Sequence, residues 1–173
     1  MRLRAPRPPI DPLDEPAAWK AALLRLGHQP LSRAVLAHRL QDLGYAAPTV
    51  EAVLTRAAEA GYLDDQAYAE SLVRRRSRTR GRSLIAQELR SKGIAAAEVE
   101  SALGQLELAD EEARALALAQ SSLRRRPPAT AEELRRRVGT ALERRGFATA
   151  TIVRTIARLR SGTESTTLEA ADE

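Results

Sequence analysis

Apolar residues recur in one frame at three places along the chain. In each place an apolar residue is followed four positions later by leucine, and four positions later again by glycine. A large apolar residue comes directly after the glycine, and further apolar residues stand six and ten positions past it. The three copies are 36-LAHRLQDLGYAAPTVEAVL-54, 85-IAQELRSKGIAAAEVESAL-103 and 138-VGTALERRGFATATIVRTI-156.

This frame predicts a helix, a turn and a second helix in each copy. Positions i and i+4 lie on one helical face, and the glycine supplies the left-handed conformation that ends a helix. A further amphipathic helix precedes each pair and is marked by Trp19 in the first copy and Tyr68 in the second. The chain is therefore predicted to be all-α, with three tandem three-helix repeats of the helix-turn-helix kind at 17–63, 64–108 and 109–161.

Capping signals support these helix starts. Asp64 or Asp65, and Asp110, are expected to cap the first helices of the second and third repeats. Thr130 with Glu133 has the spacing of a capping box. We interpret the Asp64–Asp65 pair as a cap rather than as a catalytic pair of carboxylates.

The two ends of the chain differ in composition from the repeats. Residues 1–16 contain five prolines and are predicted to form a flexible, extended arm. Residues 162–173 contain four acidic residues and no basic one, which predicts a disordered acidic tail. The third repeat also carries a short insertion around 124–130.

The composition excludes several kinds of chemistry. The chain has no cysteine, so disulfides and thiolate catalysis are ruled out, and its two histidines, His28 and His38, have no metal-binding context. No catalytic residue, metal site or cofactor is predicted, and we expect a protein that is not an enzyme. No apolar run is long enough to span a membrane and the N-terminus lacks a signal peptide, so a cytoplasmic location is expected.

The charge pattern points to an acidic partner. The net charge is +5 and the pI is about 10.3, which favours nucleic acid first. The sign alternates in blocks, with eight cations against one acid at 74–92, six acids and no cation at 98–112, and eight arginines against three acids at 124–145. A solvated surface would mix the signs, so two basic zones are predicted to flank an acidic one.

Both basic zones contain candidate binding residues for DNA phosphates or an acidic protein surface. The first zone holds more cations than a helix dipole needs, namely Arg74, Arg75, Arg76, Arg78, Arg80, Arg82 and Lys92. The second zone contributes Arg124, Arg125, Arg126, Arg135 and Arg136, for which a solvated loop and helix surface is the open alternative. Few residues suit base reading or stacking, so any DNA contact is expected to be salt-sensitive and directed to the phosphates.

The middle repeat resembles the signature of a known family. The residues that carry the likeness are GYLDD at 61–65, Tyr68-Ala69, the arginine-rich helix end, Gly81, Ile85, 88-EL-89 and 92-KGI-94. They resemble RecX proteins, which are bacterial regulators of the RecA recombinase. In the third repeat, 142-LERRGF-147 and Ile152 are similar to that family's closing repeat, and the likeness covers roughly 15–161. Val35 stands where the family often has glutamate.

The resemblance implies an elongated, curved array of three repeats that lies in the groove of a RecA–DNA filament. It further implies inhibition of the recombinase, ATPase and coprotease activities, and so a role in recombination, DNA repair and the SOS response. The expected partners are the RecA filament and DNA, single-stranded and also double-stranded, contacted through phosphates, with no membrane and with the chain a monomer. Two alternatives stay open at this point, a helix-turn-helix transcription factor and a helical-repeat adaptor without a DNA role.

Overall fold

All regular structure in the described part of the chain is helical. The computed structural model describes residues 10–106 and 108–169. Within these residues there are nine helices, and the prediction of an all-α protein is confirmed. The helices are α1 (Glu15–His28), α2 (Arg33–Gln41), α3 (Ala47–Glu59), α4 (Asp65–Arg76), α5 (Arg82–Ser91), α6 (Ala96–Gly104), α7 (Leu108–Arg125), α8 (Ala131–Glu143) and α9 (Thr149–Glu169).

The helices fall into the three predicted triplets, α1–α3, α4–α6 and α7–α9. Contacts between residues divide the chain differently, into two compact units. Unit 1 consists of Met1–Tyr68 with Lys92–Ala95, and unit 2 consists of Ala69–Ser91 with Ala96–Glu173. The boundary between Tyr68 and Ala69 therefore lies inside α4. The turn after α5 belongs to unit 1, whereas α5 itself belongs to unit 2.

The core of unit 1 is built from the apolar positions of the first repeat. Those predicted from the repeat frame are all buried, namely Leu36, Leu40, Tyr45, Val50 and Leu54. They pack against the small residues Ala18 and Ala22 of α1, which are fully buried. Burial of large aliphatic side chains supplies the main stabilising free energy of such a core.

The core of unit 2 follows the same frame in the second and third repeats. Buried frame positions are Ile85, Leu89, Val99 and Leu103 in the second repeat and Val138, Leu142 and Phe147 in the third. Ile152 and Ile156 of α9 are half-buried and pack against the core of the third repeat. The frame thus predicts correctly the apolar face of the second and third helices of each repeat.

The glycines of the frame end their helices as predicted. Gly44, Gly93 and Gly146 have φ values of 103°, 74° and 77°, in the left-handed region that a side chain disfavours. The next N–H then turns back to the helix, so that Phe147 donates to the carbonyl of Leu142 at 3.2 Å. The glycine therefore fixes where each turn lies and how the following apolar residue enters the core.

Two of the predicted helix caps are confirmed and one is wrong. Asp64 accepts a hydrogen bond from the N–H of Ala67 at 2.8 Å, and Thr130 accepts one from the N–H of Glu133 at 3.1 Å. Asp110 does not cap α7, because α7 begins at Leu108 and places Asp110 within its first turn. There an acidic side chain still interacts favourably with the helix dipole.

The ends of the described chain are more ordered than the sequence predicted. The helix α1 begins at Glu15, one residue after the cap Asp14, and the carbonyl of Pro12 accepts from the N–H of Ala46 at 2.9 Å. The helix α9 continues to Glu169, so residues 162–169 are helical. It contains no proline, and its single interior glycine costs a helix only about 1 kcal/mol. The rest of the predicted arm and tail, residues 1–9 and 170–173, lies outside the described residues.

Candidate nucleic-acid and partner interface

Most of the 28 basic residues of the chain lie in unit 2. Every candidate binding residue belongs to this unit except Lys92, which is half-buried in unit 1. Unit 2 presents the candidates at two places. The first is the α4–α5 arginine set, Arg74, Arg75, Arg76, Arg78, Arg80 and Arg82, and the second is the α7–α8 arginine set, Arg124, Arg125, Arg126, Arg135 and Arg136.

Three members of the α4–α5 set are exposed. The helix α4 ends at Arg76, so Arg78 lies in the turn that follows. Arg75 and Arg78 form no ion pair with any described residue, and the side chain of Arg74 is 68% exposed, with its guanidinium 3.9 Å from Glu70. At that distance and exposure the pair with Glu70 contributes little free energy. These three guanidinium groups are free to meet an anionic partner.

Two other members of the set are held by one carboxylate. Arg76 donates to Oε1 of Glu88 through Nη2 at 2.8 Å and through Nε at 3.1 Å, and Arg80 donates to Oε2 of Glu88 at 2.7 Å. The carboxylate of Glu88 is mostly buried, which strengthens these charge-assisted bonds. The arrangement ties the end of α4 and the following turn to α5, so both guanidinium groups have a structural role.

Arg82 also has a structural role. Its Nη1 donates to the carbonyls of Leu103 at 2.7 Å and Leu106 at 3.0 Å, at the C-terminal end of α6. A cation at this end satisfies carbonyls that lack a helical partner and interacts favourably with the dipole. The position of Arg82 in the first basic zone predicted a binding role, because a local pattern does not reveal partners 21 and 24 residues away.

The α7–α8 set is exposed throughout. Arg124 and Arg125 end α7, Arg126 follows it, and Arg135 and Arg136 lie on α8. A cavity of about 810 Å³ opens at the same place. Its wall combines apolar side chains with two arginines and includes Leu123, Arg124, Leu134, Leu159 and Arg160.

Glu133 is the acidic residue most affected by the second set. Its carboxylate accepts a hydrogen bond from the N–H of Ala129 at 2.9 Å, and this bond holds the pKa of Glu133 below its ordinary value. Burial acts in the opposite direction, while the charges of Arg137, Arg126 and Arg136 lower the pKa further. Glu133 therefore stays ionised beside these arginines and caps α8.

The acidic block between the two basic zones is used within unit 2. Glu111 is buried and accepts a hydrogen bond from the backbone N–H of Arg82 at 3.2 Å. Glu112 pairs with Arg154 at 2.6 Å. These acids hold helices of unit 2 together, which is one of the roles that charge blocks of opposite sign allow.

The structure also exposes an aromatic group that the sequence analysis did not anticipate. Tyr62 is 55% exposed and meets Trp19 edge-on, with 6.1 Å between the ring centroids, while the guanidinium of Arg56 lies 4.3 Å from the centroid of Trp19. Tyr62 stands between Gly61, which has a left-handed φ, and the buried Leu63. In the sequence, the glycine before Tyr62 is the signal for a turn at which a side chain can be exposed. The group belongs to unit 1, whereas both arginine sets belong to unit 2.

In the described ranges, no group of three or more His, Cys, Asp or Glu side chains is arranged to hold a metal ion. None of the helices described is both long enough and apolar enough to cross a membrane.

Comparison with known proteins gives one consistent result. The family described as RecX, second three-helix domain, matches residues 64–103. A regulatory protein RecX from Mycobacterium sp. (strain KMS) is 34% identical over 148 residues, which cover 82% of this chain and 81% of the relative. The regulatory protein RecX from Streptomyces coelicolor is 32% identical over 151 residues, covering 86% of this chain and 79% of the relative.

Solved structures agree with this result. The crystal structure of RecX from Lactobacillus salivarius superposes with a TM-score of 0.79 at 23% identity, covering 85% of this chain and 97% of that one. A second crystal structure of a regulatory protein RecX gives a TM-score of 0.72 at 27% identity, with 79% of this chain and 70% of that one covered. The first likeness shows the shared fold, and the sequence relatives show more: this chain belongs to the RecX family of regulatory proteins.

Proposed function

We propose that this chain is a non-enzymatic regulator that binds the RecA–DNA filament and inhibits its recombinase, ATPase and coprotease activities. In this role it modulates recombination, DNA repair and the SOS response in the cytoplasm. The observation that carries the proposal is the exposed trio Arg74, Arg75 and Arg78 in a chain of this family. The trio lies in the second three-helix domain that the family comparison recognises.

The trio suits phosphate groups better than buried acidic partners. Three guanidinium groups lie within five residues. Each is planar and presents pairs of N–H donors in a fixed geometry that matches two phosphate oxygens. Their neighbours Arg76 and Arg80 hold the base of the cluster in place through Glu88, so the exposed groups start from an ordered backbone. Binding of this kind neutralises phosphates, releases counterions and weakens steeply with salt.

The α7–α8 arginine set is a second contact surface in this proposal. Its exposed guanidinium groups give unit 2 a further place to meet DNA or an acidic surface of the recombinase. Several weak contacts of this kind, rather than one deep pocket, are what a protein needs in order to follow a filament. Lys92 belongs to the candidate set as well, although it lies in unit 1 and is only partly exposed.

A transcription factor of the helix-turn-helix kind is the principal rival, because α5 and α6 form such a pair. The exposed side chains of α6 argue against it. They include Ala97, Glu100 and Ser101, and the carboxylate would repel DNA phosphates. Base reading in the major groove relies on Arg, Lys, Asn or Gln side chains at such positions.

The test measures ATP hydrolysis by RecA assembled on single-stranded DNA, titrated with this chain. Binding of the chain to the same DNA without RecA is measured at the same salt. Inhibition at a ratio well below the one that coats the bare DNA is the expected result. Inhibition only at saturation of the DNA would reduce the chain to a basic competitor, and no inhibition would reject the proposal. A strong preference for one duplex sequence would favour the transcription factor.

The variant for this test replaces Arg74, Arg75 and Arg78 with alanine. It should keep its helical content and lose inhibition, because none of the three side chains contacts the core. The matched control replaces Lys20, Arg39 and Arg158, which lie outside both arginine sets, with alanine and so removes the same charge. If both variants inhibit equally, the effect comes from net charge and the assignment of the trio is wrong.

A further inference from the structure

One hydrogen-bond pattern recurs where a repeat meets the next. The backbone N–H of Arg33, the first residue of α2, donates to the carboxylate of Asp65, the first residue of α4, at 2.8 Å. The backbone N–H of Arg82, the first residue of α5, donates to Glu111 in the first turn of α7 at 3.2 Å. An acid from the following repeat thus caps the second helix of the preceding one. The first contact lies within unit 1 and the second within unit 2.

The turn of the following repeat joins the same contact. The carbonyl of the residue before the turn glycine accepts a hydrogen bond from the residue that directly precedes the second helix of the preceding repeat. Ser32 donates through Oγ to the carbonyl of Lys92 at 2.6 Å, and Gly81 donates through its N–H to the carbonyl of Arg145 at 2.8 Å.

The turn glycine itself touches the preceding helix. A Cβ added to Gly93 would overlap the Cβ of Ala34, and one added to Gly146 would overlap Leu84. Ala34 is the second residue of α2, and Leu84 lies in the first turn of α5. In both repeats a preceding helix therefore closes over the turn glycine.

The first repeat carries the same elements, and within the described residues no other repeat contacts them. Glu15 is the first residue of α1, as Asp65 is of α4, and it is exposed. Gly44 has the left-handed φ of the other two glycines, but a Cβ there would meet nothing within 4 Å. Leu13 is 70% exposed, whereas Leu63, which stands one residue before the corresponding cap, is 7% exposed.

The third repeat carries the complementary elements, and within the described residues no acid or turn of another repeat contacts them. Ala131 is the first residue of α8, as Arg33 is of α2, although α8 begins one turn earlier in the repeat frame, seven residues before Val138 rather than three before Leu36. No described residue accepts a hydrogen bond from the N–H of Ala131. The cavity of about 810 Å³ opens beside it, with Leu134 in its wall and Arg124 and Arg160 at its edge. The size and apolar lining of this space fit a turn with a large apolar side chain.

We propose that these two surfaces bind each other between two copies of this chain. The first-repeat surface of one copy, Leu13, Glu15 and the turn at Gly44, docks on the third-repeat surface of a second copy at Ala131 and the cavity. Glu15 then caps α8 as Asp65 caps α2 and Glu111 caps α5. The acids near the start of α1 also face the arginines of the cavity, which makes the contact complementary in charge.

Such a contact is head-to-tail, because it joins different surfaces of the two copies, and contacts of this kind build rings or open rows of molecules rather than a dimer with two identical faces. Repeat proteins extend their arrays by this kind of stacking between equivalent surfaces. An interface of a single repeat is small, so the association should be weak and seen at high protein concentration. It would place successive copies in register along a repetitive partner.

Cross-linking tests the contact directly, because the chain has no cysteine of its own. Pro16→Cys and Glu132→Cys place single thiols on exposed first-turn positions of α1 and α8, next to the contact residues. The two purified variants are mixed and treated with a short bis-maleimide. A heterodimer of the two variants is expected, with little product from either variant alone. The control pairs Glu132→Cys with Ala58→Cys, an exposed position on α3.

A second pair of variants tests the chemistry of the contact. Glu15→Arg, introduced beside Pro16→Cys, should reduce the yield of heterodimer about tenfold, the factor that corresponds to one lost charged hydrogen bond. Glu59→Arg makes the same charge change on exposed α3 and should leave the yield unchanged. Sedimentation should show the mass of the unmodified chain rising with concentration.

Three outcomes would overturn the proposal. The first is a heterodimer yield no higher than that of the control pair, and the second is equal cross-linking of either single variant with itself. The third is a monomer mass at every concentration together with protection of the thiol of Glu132→Cys by DNA or RecA, which would assign the cavity to that partner. The cross-linking and sedimentation experiments use this chain without RecA, so a negative result in them leaves the proposed function untouched.

Discussion

The buried carboxylate of Glu111 accepts a hydrogen bond at 3.2 Å from the backbone N–H of Arg82. The side chain of Arg82 donates hydrogen bonds to two carbonyls at the end of α6. One residue thus links the start of α5 to α6 through its side chain and to α7 through its backbone. Two charged residues from blocks of opposite sign are used here to join the second repeat to the third within unit 2.

Glu111→Ala should destabilise the chain by about 1–3 kcal/mol, because it leaves a partly buried N–H at the start of α5 without its acceptor. Denaturation by urea, followed by circular dichroism, measures the change in the free energy of unfolding. Glu143→Ala is the matched control, since Glu143 is exposed and its loss should change stability by no more than about 0.5 kcal/mol. Equal effects of the two substitutions would contradict the capping role.

The three turn glycines should differ in their tolerance of alanine. All three have a left-handed φ, so each substitution carries a strain of about 1–3 kcal/mol. At Gly146 the new Cβ would also overlap the backbone and Cβ of Leu84, while at Gly44 it would meet nothing. Gly146→Ala should therefore lower the free energy of unfolding by about 1–3 kcal/mol more than Gly44→Ala, the usual cost of overpacking. Similar losses in the two variants, measured by urea denaturation, would show that the contact with Leu84 adapts freely.

The sequence was sufficient to predict the fold because the decisive signals are local. Leu40, Leu89 and Leu142 share a helical face with the residue four positions earlier, and the glycine four positions later ends each helix. Both effects act within one or two helical turns, so periodicity alone locates them. The exact ends were less predictable, as the longer α7 and α9 show, since several residues near them tolerate either helix or coil.

The candidate site was only partly predictable, because a cluster of arginines does not reveal which members have partners. Arg76 and Arg80 reach Glu88, which was visible as the only acid in the first basic zone but not as their shared acceptor. Asp64 or Asp65 was predicted to cap α4, and Asp64 does so, whereas Asp65 caps α2, thirty-two positions earlier in the chain. Contacts between repeats depend on packing geometry, and the frame of a single repeat does not contain that information.

The lowered pKa of Glu133 predicts a loss of stability in acid. Because the folded state holds this pKa below the ordinary glutamate value, the ionised carboxylate stabilises the fold at neutral pH. That contribution is fully present above the ordinary pKa, about 4.3, and is lost as the pH falls through the lower pKa of the folded state.

Glu133→Gln should accordingly be less stable than the unmodified chain at neutral pH, and the difference should shrink in acid. Thermal unfolding at several pH values measures both quantities. Glu132→Gln is the control, because Glu132 is an exposed first-turn acid of the same helix for which no bond to Ala129 exists. A stability difference that stays constant from neutral to acidic pH would show that the hydrogen bond to Ala129 does not depend on the charge.

Salt dependence separates arginines that bind phosphates from arginines that support the fold. Replacement of Arg74, Arg75 and Arg78 by alanine should weaken binding to single-stranded DNA and reduce the slope of log K against log salt by about 2, if each contacts one phosphate. Stability should stay within about 0.5 kcal/mol, as is usual for exposed positions. Fluorescence anisotropy with a labelled oligonucleotide at four or more salt concentrations gives the slope.

Arg76→Ala with Arg80→Ala makes the opposite prediction and serves as the comparison. Loss of their bonds to Glu88 leaves a mostly buried carboxylate without cations, so the free energy of unfolding should fall by about 1–3 kcal/mol. Both guanidinium groups are already occupied, so the salt slope should change by less than in the exposed trio. If the double variant instead lowers the slope as much as the trio does and keeps its stability, Glu88 does not hold these arginines in solution. Five members of the α4–α5 set, all except Arg82, would then be available to the partner.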